Sequence, residues 1–269
     1  MKKKSTGERL ETFIYGRNSI EHLHRYALVM PYIENKIVLD IASGEGYGSN
    51  LMSAHAAFVH GVDIDAQTVA AAQVKYKKDN LRYQVGSATA IPLEDHSVDV
   101  VVSYETIEHH DQHQEMIDEI KRVLKPEGVL IISTPDKLYY SDKRNFDNEF
   151  HIKELYKQEF VDLISPQFKN IQLLTQIYCN GNSIIQPEND PEPLQFFTGD
   201  YTWAAPQEID PLYLLIIASD VSFTLHKRSI FNGEIFTELT WKSLWQSSNT
   251  HKVGSFVLKP FKFLKSLVK

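Results

Sequence analysis

The segment Val38-Leu39-Asp40-Ile41-Ala42-Ser43-Gly44-Glu45-Gly46-Tyr47-Gly48 constrains the fold most, because an apolar β-rich run passes directly into glycines at alternate positions. Such glycines let the backbone turn tightly and let a ligand approach with no Cβ in the way. The loop delivers that ligand to the amino end of the next helix, at the carboxyl edge of a sheet. Asp63 closes the second apolar run, near the spacing at which an acidic side chain meets a ribose diol. Loop and carboxylate together read as a nucleoside site. A dinucleotide fingerprint places a further glycine three residues after the second, and here that position is Ser49.

The rest of the chain supports a sheet around that loop. Strands are expected at Ile37–Ile41, Phe58–Asp63, Leu81–Val85, Val98–Ser103, Val129–Ser133, Ile171–Ile177 and Leu212–Ala218. The run at Val98–Ser103 is continuously apolar, as a central parallel strand must be when both of its faces are buried. Between the strands lie helix patterns, the clearest being Met116, Ile117, Ile120, Val123 and Leu124 on one face. Asp65 caps one helix; Asn18 with Glu21 reads as a capping box opening another, which Pro31 should interrupt. Lys125-Pro126-Glu127-Gly128 is a turn. This order predicts an α/β, Rossmann-like, doubly wound sheet of seven strands, mostly parallel.

Three regions follow: an N-terminal helical cap over 1–35, the main domain over 36–220, and a C-terminal extension over 221–269. Within the main domain, 178–211 is dense in proline and aromatics, including Phe196, Phe197, Tyr201 and Trp203, and reads as an acceptor-side insert. After Pro260 the chain alternates apolar residues with Lys262, Lys265 and Lys269, which predicts a basic amphipathic tail. That tail would dock on its own domain, or meet a membrane or a glycan-assembly partner.

Composition removes some classes. No apolar run approaches the ~18 residues of a bilayer-spanning helix, and Lys2, Lys3 and Lys4 run into polar residues rather than a signal-peptide core. The single cysteine, Cys179, excludes an intramolecular disulfide and fits a cytoplasmic protein, at most peripheral to the inner membrane. A net charge of −7 offers nucleic acid no general attraction.

The spacing of the three loop glycines, two apart, resembles the first motif of class I S-adenosylmethionine (SAM)-dependent methyltransferases. Gly86-Ser87-Ala88-Thr89 with Ile91-Pro92-Leu93-Glu94-Asp95 is similar to the adenine-side loop of that family. Val98–Glu105 is similar to its fourth strand, and Arg122–Gly128 to its late helix-turn signature. The resemblance implies SAM as cofactor, held by Asp40, Ala42, Gly44, Gly46, Asp63, Ile64, Ser87, Ala88 and Tyr104, with Arg25 and Tyr26 covering the pocket. Ala42 stands where the family has its first glycine, and Ser87 where it often has aspartate.

Tyr104-Glu105-Thr106-Ile107-Glu108-His109-His110 follows the fourth strand, where the methyl group should lie. The same Glu-x-x-Glu-His arrangement occurs in methyltransferases whose divalent ion grips a vicinal diol or catechol, ubiquinone-pathway and small-RNA ribose enzymes among them. The resemblance therefore implies a Mg²⁺ or Mn²⁺ site of Glu105, Glu108, His109 and His151, the last from Asn148-Glu149-Phe150-His151. The alternative is His109 or His110 as a general base without metal. Asn148–Leu155 and Leu212–Ala218 resemble methyltransferases of bacterial surface-polysaccharide synthesis, which makes a sugar hydroxyl the expected acceptor. A small quinol-like or amine acceptor, and a SAM-binding partner protein without turnover, are the other readings.

Overall fold

The computed structural model describes residues 15–248. The chain enters through α1 (Arg17–Ile33) and alternates β1 (Ile37–Ile41), α2 (Tyr47–Met52), β2 (Phe58–Asp63), α3 (Ala66–Lys75) and β3 (Leu81–Val85). There follow β4 (Val98–Tyr104), α4 (His113–Val123), β5 (Leu124–Pro135), α5 (Lys157–Ile164), β6 (Asn170–Cys179) and β7 (Asn182–Pro187). The last elements are β8 (Phe196–Asp200), β9 (Trp203–Gln207), β10 (Tyr213–Ser219), β11 (Ser229–Asn232) and α6 (Glu234–Ser247).

One sheet has the order β11-β7-β6-β10-β5-β4-β1-β2-β3. Strands β3, β2, β1, β4 and β5 pair in parallel, and β10 runs antiparallel between β5 and β6. Each of the seven expected strands is present, as the contiguous block from β6 to β3. The sheet is nonetheless nine-stranded rather than seven-stranded, because β7 and β11 extend the β6 edge by antiparallel pairing. β7 was hidden in what reads as insert: its Ile184 and Ile185 are buried, but the strand is short and ends in Pro187. The region 178–211 therefore divides between a strand of the main sheet and a separate hairpin, β8–β9, whose Phe197 and Trp203 are exposed.

Burial of β4 on both faces explains its unbroken valines: Val98, Val100, Val101 and Val102 are all at most 2% exposed. On one face α4 and α5 add Met116, Ile117, Ile120, Phe160 and Ile164; on the other, α1 to α3 add Val29, Ile33, Met52 and Val69. Each such side chain contributes about 1.5–3 kcal/mol by leaving water.

Two local expectations change. Helix α1 starts at Arg17 after Gly16, not at an Asn18 cap, and Glu21 pairs with Arg17 at 2.9 Å instead of closing a capping box. The helix also passes Pro31 and ends two residues later, so the proline sits in its last turn. Of the C-terminal extension, β11 and α6 are described, whereas the basic tail after Pro260 lies outside the described residues. No helix among the described residues is long and apolar enough to cross a membrane.

Candidate active site

A cavity of about 960 Å³ opens at the carboxyl ends of β1, β2 and β4. The loop after β1 forms its floor with Ala42, Ser43, Gly44 and Glu45. Three of its residues adopt left-handed backbone: Ala42 at φ 60°, Gly44 at φ 53° and Gly46 at φ 84°. Glycine takes such angles without strain; Ala42 does so at a cost of about 1–2 kcal/mol. At Gly48, a Cβ would lie 2.0 Å from the Tyr26 ring, so glycine lets α1 close down on the loop.

Asp63 lies on the wall, one carboxylate oxygen accepting the Gly44 N–H at 2.8 Å and the other the Asp65 N–H at 2.9 Å. The β2 carboxylate thus braces the glycine loop. Ile64, 72% exposed, and Ser87, Ala88 and Thr89 line the same end. Ser87 shares a hydrogen bond with Thr89 at 2.9 Å. From α1 come Asn18, His22 and Tyr26, and from β4 Tyr104. Tyr26 makes edge contacts with Tyr47 and Tyr104, at 5.6 and 5.3 Å between ring centroids. His22 Nδ1 meets the Tyr47 hydroxyl at 3.0 Å, and burial keeps the His22 ring neutral well below the usual histidine range.

Asp40, Gly46 and Arg25, expected at the cofactor, are not among the residues that line the cavity. Asp40 is buried and accepts a 2.5 Å hydrogen bond from Ser49 Oγ; burial pushes its carboxyl up to about 7. Gly46 offers its carbonyl to the Tyr83 hydroxyl at 2.6 Å. Arg25, expected over the pocket, is fully buried under it: Nε donates to Gln176 at 2.7 Å, and the guanidinium lies 4.4 Å from the Tyr213 ring centroid.

The opposite end of the cavity is polar. Ile107–His109 form a 3₁₀ turn, tied to the following loop because the Glu108 carbonyl accepts the Ile152 and Lys153 N–H groups. That contact brings Glu108, His109 and His151 together, with one donor atom from each within 4.8 Å of the others. Glu108 is fully buried; one oxygen accepts from Thr134 Oγ1 at 3.3 Å and the other, Oε1, has no partner. Burial, then the nearby Glu105, holds its carboxyl well above the ordinary range. His109 Nδ1 meets the Phe150 carbonyl at 2.9 Å, and His151 Nδ1 meets Glu154 at 2.5 Å. Tyr140 stacks on His151 with centroids 5.4 Å apart.

Glu105 is not in this group. Its backbone is left-handed at φ 51°, and its carboxylate accepts from Ser133 Oγ at 2.6 Å. His110 lines the cavity with Nε2 3.2 Å from Met116 Sδ and a buried, unpartnered Nδ1; burial lowers its pKa. Tyr140, Phe146, Asp147, Asn148 and Tyr213 also line the cavity; Asn148 and Tyr213 lie in the Asn148–Leu155 and Leu212–Ala218 runs, and the other three carry no sequence signal. No described residue from 152 to 212 lines the cavity, so the β8–β9 hairpin and Trp203 stand away from it.

Residues 39–132 match a family described as "Methyltransferase domain". A "probable S-adenosylmethionine-dependent methyltransferase" of Mycolicibacterium smegmatis is 39% identical over 128 residues, 47% of this chain and 49% of that one. A "ubiquinone biosynthesis O-methyltransferase" of Coxiella burnetii is 29% identical over 113 residues, 39% of this chain and 48% of that one. The chain thus spans about half the length of these relatives. The solved YcgJ protein of Bacillus subtilis superposes with a TM-score of 0.57 at 18% identity, covering 75% of this chain and 100% of that one. The chain has the class I methyltransferase fold, and its residues 39–132 match the methyltransferase domain family.

Proposed function

We propose that this chain is a SAM-dependent methyltransferase that O-methylates a hydroxyl of a diol-bearing acceptor, with a sugar as the acceptor class. The observation that carries the reading is one cavity joining two ends: the Gly44–Asp63–Ser87 end suits a nucleoside, and Glu108, His109 and His151 converge at the other. SAM carries an activated sulfonium, so most of the rate comes from holding the acceptor oxygen in line with the methyl carbon. Tyr26 and Tyr104 line the same cavity, with ring centroids 5.3 Å apart.

A hydroxyl also has to lose its proton. The Nδ1 positions of His109 and His151 are turned to a carbonyl and a carboxylate, and Glu108 Oε1 is a buried oxygen without a donor. A buried carboxylate oxygen without a donor, beside two imidazoles, suits a polyhydroxyl ligand or a divalent cation. The donor set fits such an ion: Glu108, His109 and His151 would hold it, and two imidazoles with one carboxylate favour Mn²⁺ over the oxygen-preferring Mg²⁺. The ion would lower the pKa of a bound hydroxyl and keep the Glu108 carboxylate ionised. Without an ion, His110, whose pKa burial lowers, or His109 is the base, and the His109 ring is oriented for it by the Phe150 carbonyl.

The Coxiella relative's name supports a second acceptor, a quinol-like catechol, whose adjacent hydroxyls would suit the same cluster. Turnover with isotope-labelled SAM against a panel of nucleotide sugars, glycan oligomers and catechols, read by mass spectrometry, separates the two. Methylation of catechols alone would overturn the sugar reading. SAM binding with no product from any member would leave a binding protein without turnover.

A further inference from the structure

We infer that Asn148 and Glu154 lock the His151 ring in a single tautomer, with its proton on Nδ1 and its lone pair on Nε2, and that Glu154 is a positioning residue for the acceptor end of the cavity. The inference rests on the reading of the Glu108–His109–His151 cluster as that end. The hydrogen bonds around the ring carry it. The Phe150 backbone N–H can only donate, and it lies 3.2 Å from Asn148 Oδ1. That fixes the Asn148 amide: its oxygen faces the backbone, and its NH₂ group faces His151 Nε2 at 2.9 Å. An amide NH₂ has no lone pair to offer, so Nε2 must accept. A neutral imidazole accepting at Nε2 carries its proton on Nδ1, and Nδ1 lies 2.5 Å from Glu154 Oε1. Two contacts on opposite ring nitrogens therefore specify the same tautomer.

The two contacts differ in strength and in what a ligand would do to them. Asn148 lines the large cavity and meets Nε2 through a neutral amide, which an acceptor hydroxyl or a cation can displace. Glu154 contacts the other nitrogen with a carboxylate, the stronger kind of bond, and both side chains are only 8% exposed. Tyr140 stacked on one face and His109 edge-on at 5.2 Å restrict rotation of the ring. When Asn148 gives way, Glu154 still holds the proton on Nδ1 and keeps the Nε2 lone pair presented. This is the role a carboxylate plays behind a histidine that binds a metal or takes a proton.

The test needs no acceptor. In the full chain labelled with ¹⁵N-histidine, at a pH where the rings are neutral, His151 is assigned by its loss in His151→Gln. Wild type should give the ¹⁵N pattern of the Nδ1–H tautomer, and Glu154→Ala a mixture of tautomers. Glu154→Gln, whose amide oxygen still accepts, should restore the single form. Titration with Mn²⁺ alone should show roughly 10- to 100-fold weaker binding in Glu154→Ala, while SAM affinity stays within about twofold, as for a site left intact. An Nε2–H pattern in wild type overturns the inference, and so does an unchanged tautomer or an unchanged Mn²⁺ affinity in Glu154→Ala. The wild-type spectrum decides the tautomer even where the alanine variant fails to fold. A wild type that binds no Mn²⁺ overturns the cation reading instead, and one that binds no SAM overturns the proposed function; neither touches the tautomer result.

Discussion

Arg25 Nη1 and Glu105 Oε1 lie 3.3 Å apart at the cavity wall, which Glu105 lines and Arg25 does not, the arginine side chain wholly buried and the glutamate 15% exposed. This pairing removes Glu105 from the cluster of Glu108, His109 and His151 and spends it on holding α1 to the end of β4. Arg25 is poorly served otherwise, since neither Nη1 nor Nη2 finds a hydrogen-bond acceptor of good geometry. Breaking such a pair from one side leaves a charge buried without compensation, at about 3–5 kcal/mol. Arg25→Met should therefore lower unfolding stability by about that much, and Arg25→Met with Glu105→Gln should recover a large part of it. Equal stabilities for the single and double variants in denaturant titration would show that the two groups are not coupled.

Asp63 is the residue on which cofactor affinity should depend most. Its carboxylate braces Gly44 and Asp65 and borders the cavity. Losing charge-assisted hydrogen bonds to a ribose diol costs about 1.5–3 kcal/mol, roughly 10- to 100-fold in affinity. Calorimetry of SAM and S-adenosylhomocysteine with Asp63→Ala should show that loss for both ligands. Unchanged affinity would remove Asp63 from the site.

The left-handed backbone of Ala42 predicts an unusual gain. Glycine at φ 60° escapes the Cβ clash, while the extra freedom it gives the unfolded chain takes part of that back. Ala42→Gly should leave stability unchanged or raise it by up to about 1 kcal/mol, where most alanine-to-glycine changes destabilise. A loss of more than about 1 kcal/mol in thermal unfolding would mean that the methyl group packs usefully against the loop.

How much of this was legible follows from how local each signal is. The β1 loop, β4 and the apolar face of α4 are written in consecutive or helically spaced residues, so the sequence alone locates them. The β7 and β11 additions depend on pairing with β6 across the chain, and Asn182–Pro187 is too short and too proline-bound to announce a strand. In α1 the finer division depends on the four-residue spacing, since each helical residue stands closest to those three and four positions away. Asn18, His22 and Tyr26 form the four-residue stripe that lines the cavity, whereas Glu21 and Arg25 form the next stripe, toward β6. Glu105 could not be excluded from the metal set by spacing, since its left-handed backbone is what turns it aside.

The buried polar seam between α1 and the added strands makes acid stability testable. His24 meets Ser183 Oγ and Ser229 Oγ, both at 2.9 Å, and burial lowers its pKa from 6.5 to about 3. The folded protein therefore keeps His24 neutral where the unfolded chain takes up a proton. Stability is full above pH 6.5 and falls as pH drops toward 3, by about 1.4 kcal/mol per pH unit. Between pH 7 and pH 5 this amounts to about 2 kcal/mol from His24 alone. Denaturant titrations of wild type and His24→Asn at both pH values isolate it: the variant should show a smaller acid loss by that amount. Parallel losses would assign the acid sensitivity to other groups.

On the proposed O-methylation, the sharpest division concerns how the acceptor hydroxyl would lose its proton. Glu108 has one oxygen buried without a partner, beside His109 and His151, and burial with the Glu105 charge opposes its ionisation. A divalent cation would reverse that balance, which is why a metal-dependent enzyme should lose activity in excess EDTA and regain it with Mn²⁺. On that mechanism Glu108→Gln binds SAM normally yet turns over at least roughly 100-fold more slowly, since it removes the one anionic ligand of the set. A base mechanism makes the opposite forecast. Chelation has no effect, Glu108→Gln costs little, and the loss falls on His109→Ala or His110→Ala, with a rate that rises with pH through the titration of the base. His110 is held neutral by burial, so its limb should lie below the ordinary histidine value. Full activity after dialysis against EDTA would discard the ion and leave Glu108 as a carboxylic acid that hydrogen-bonds the acceptor.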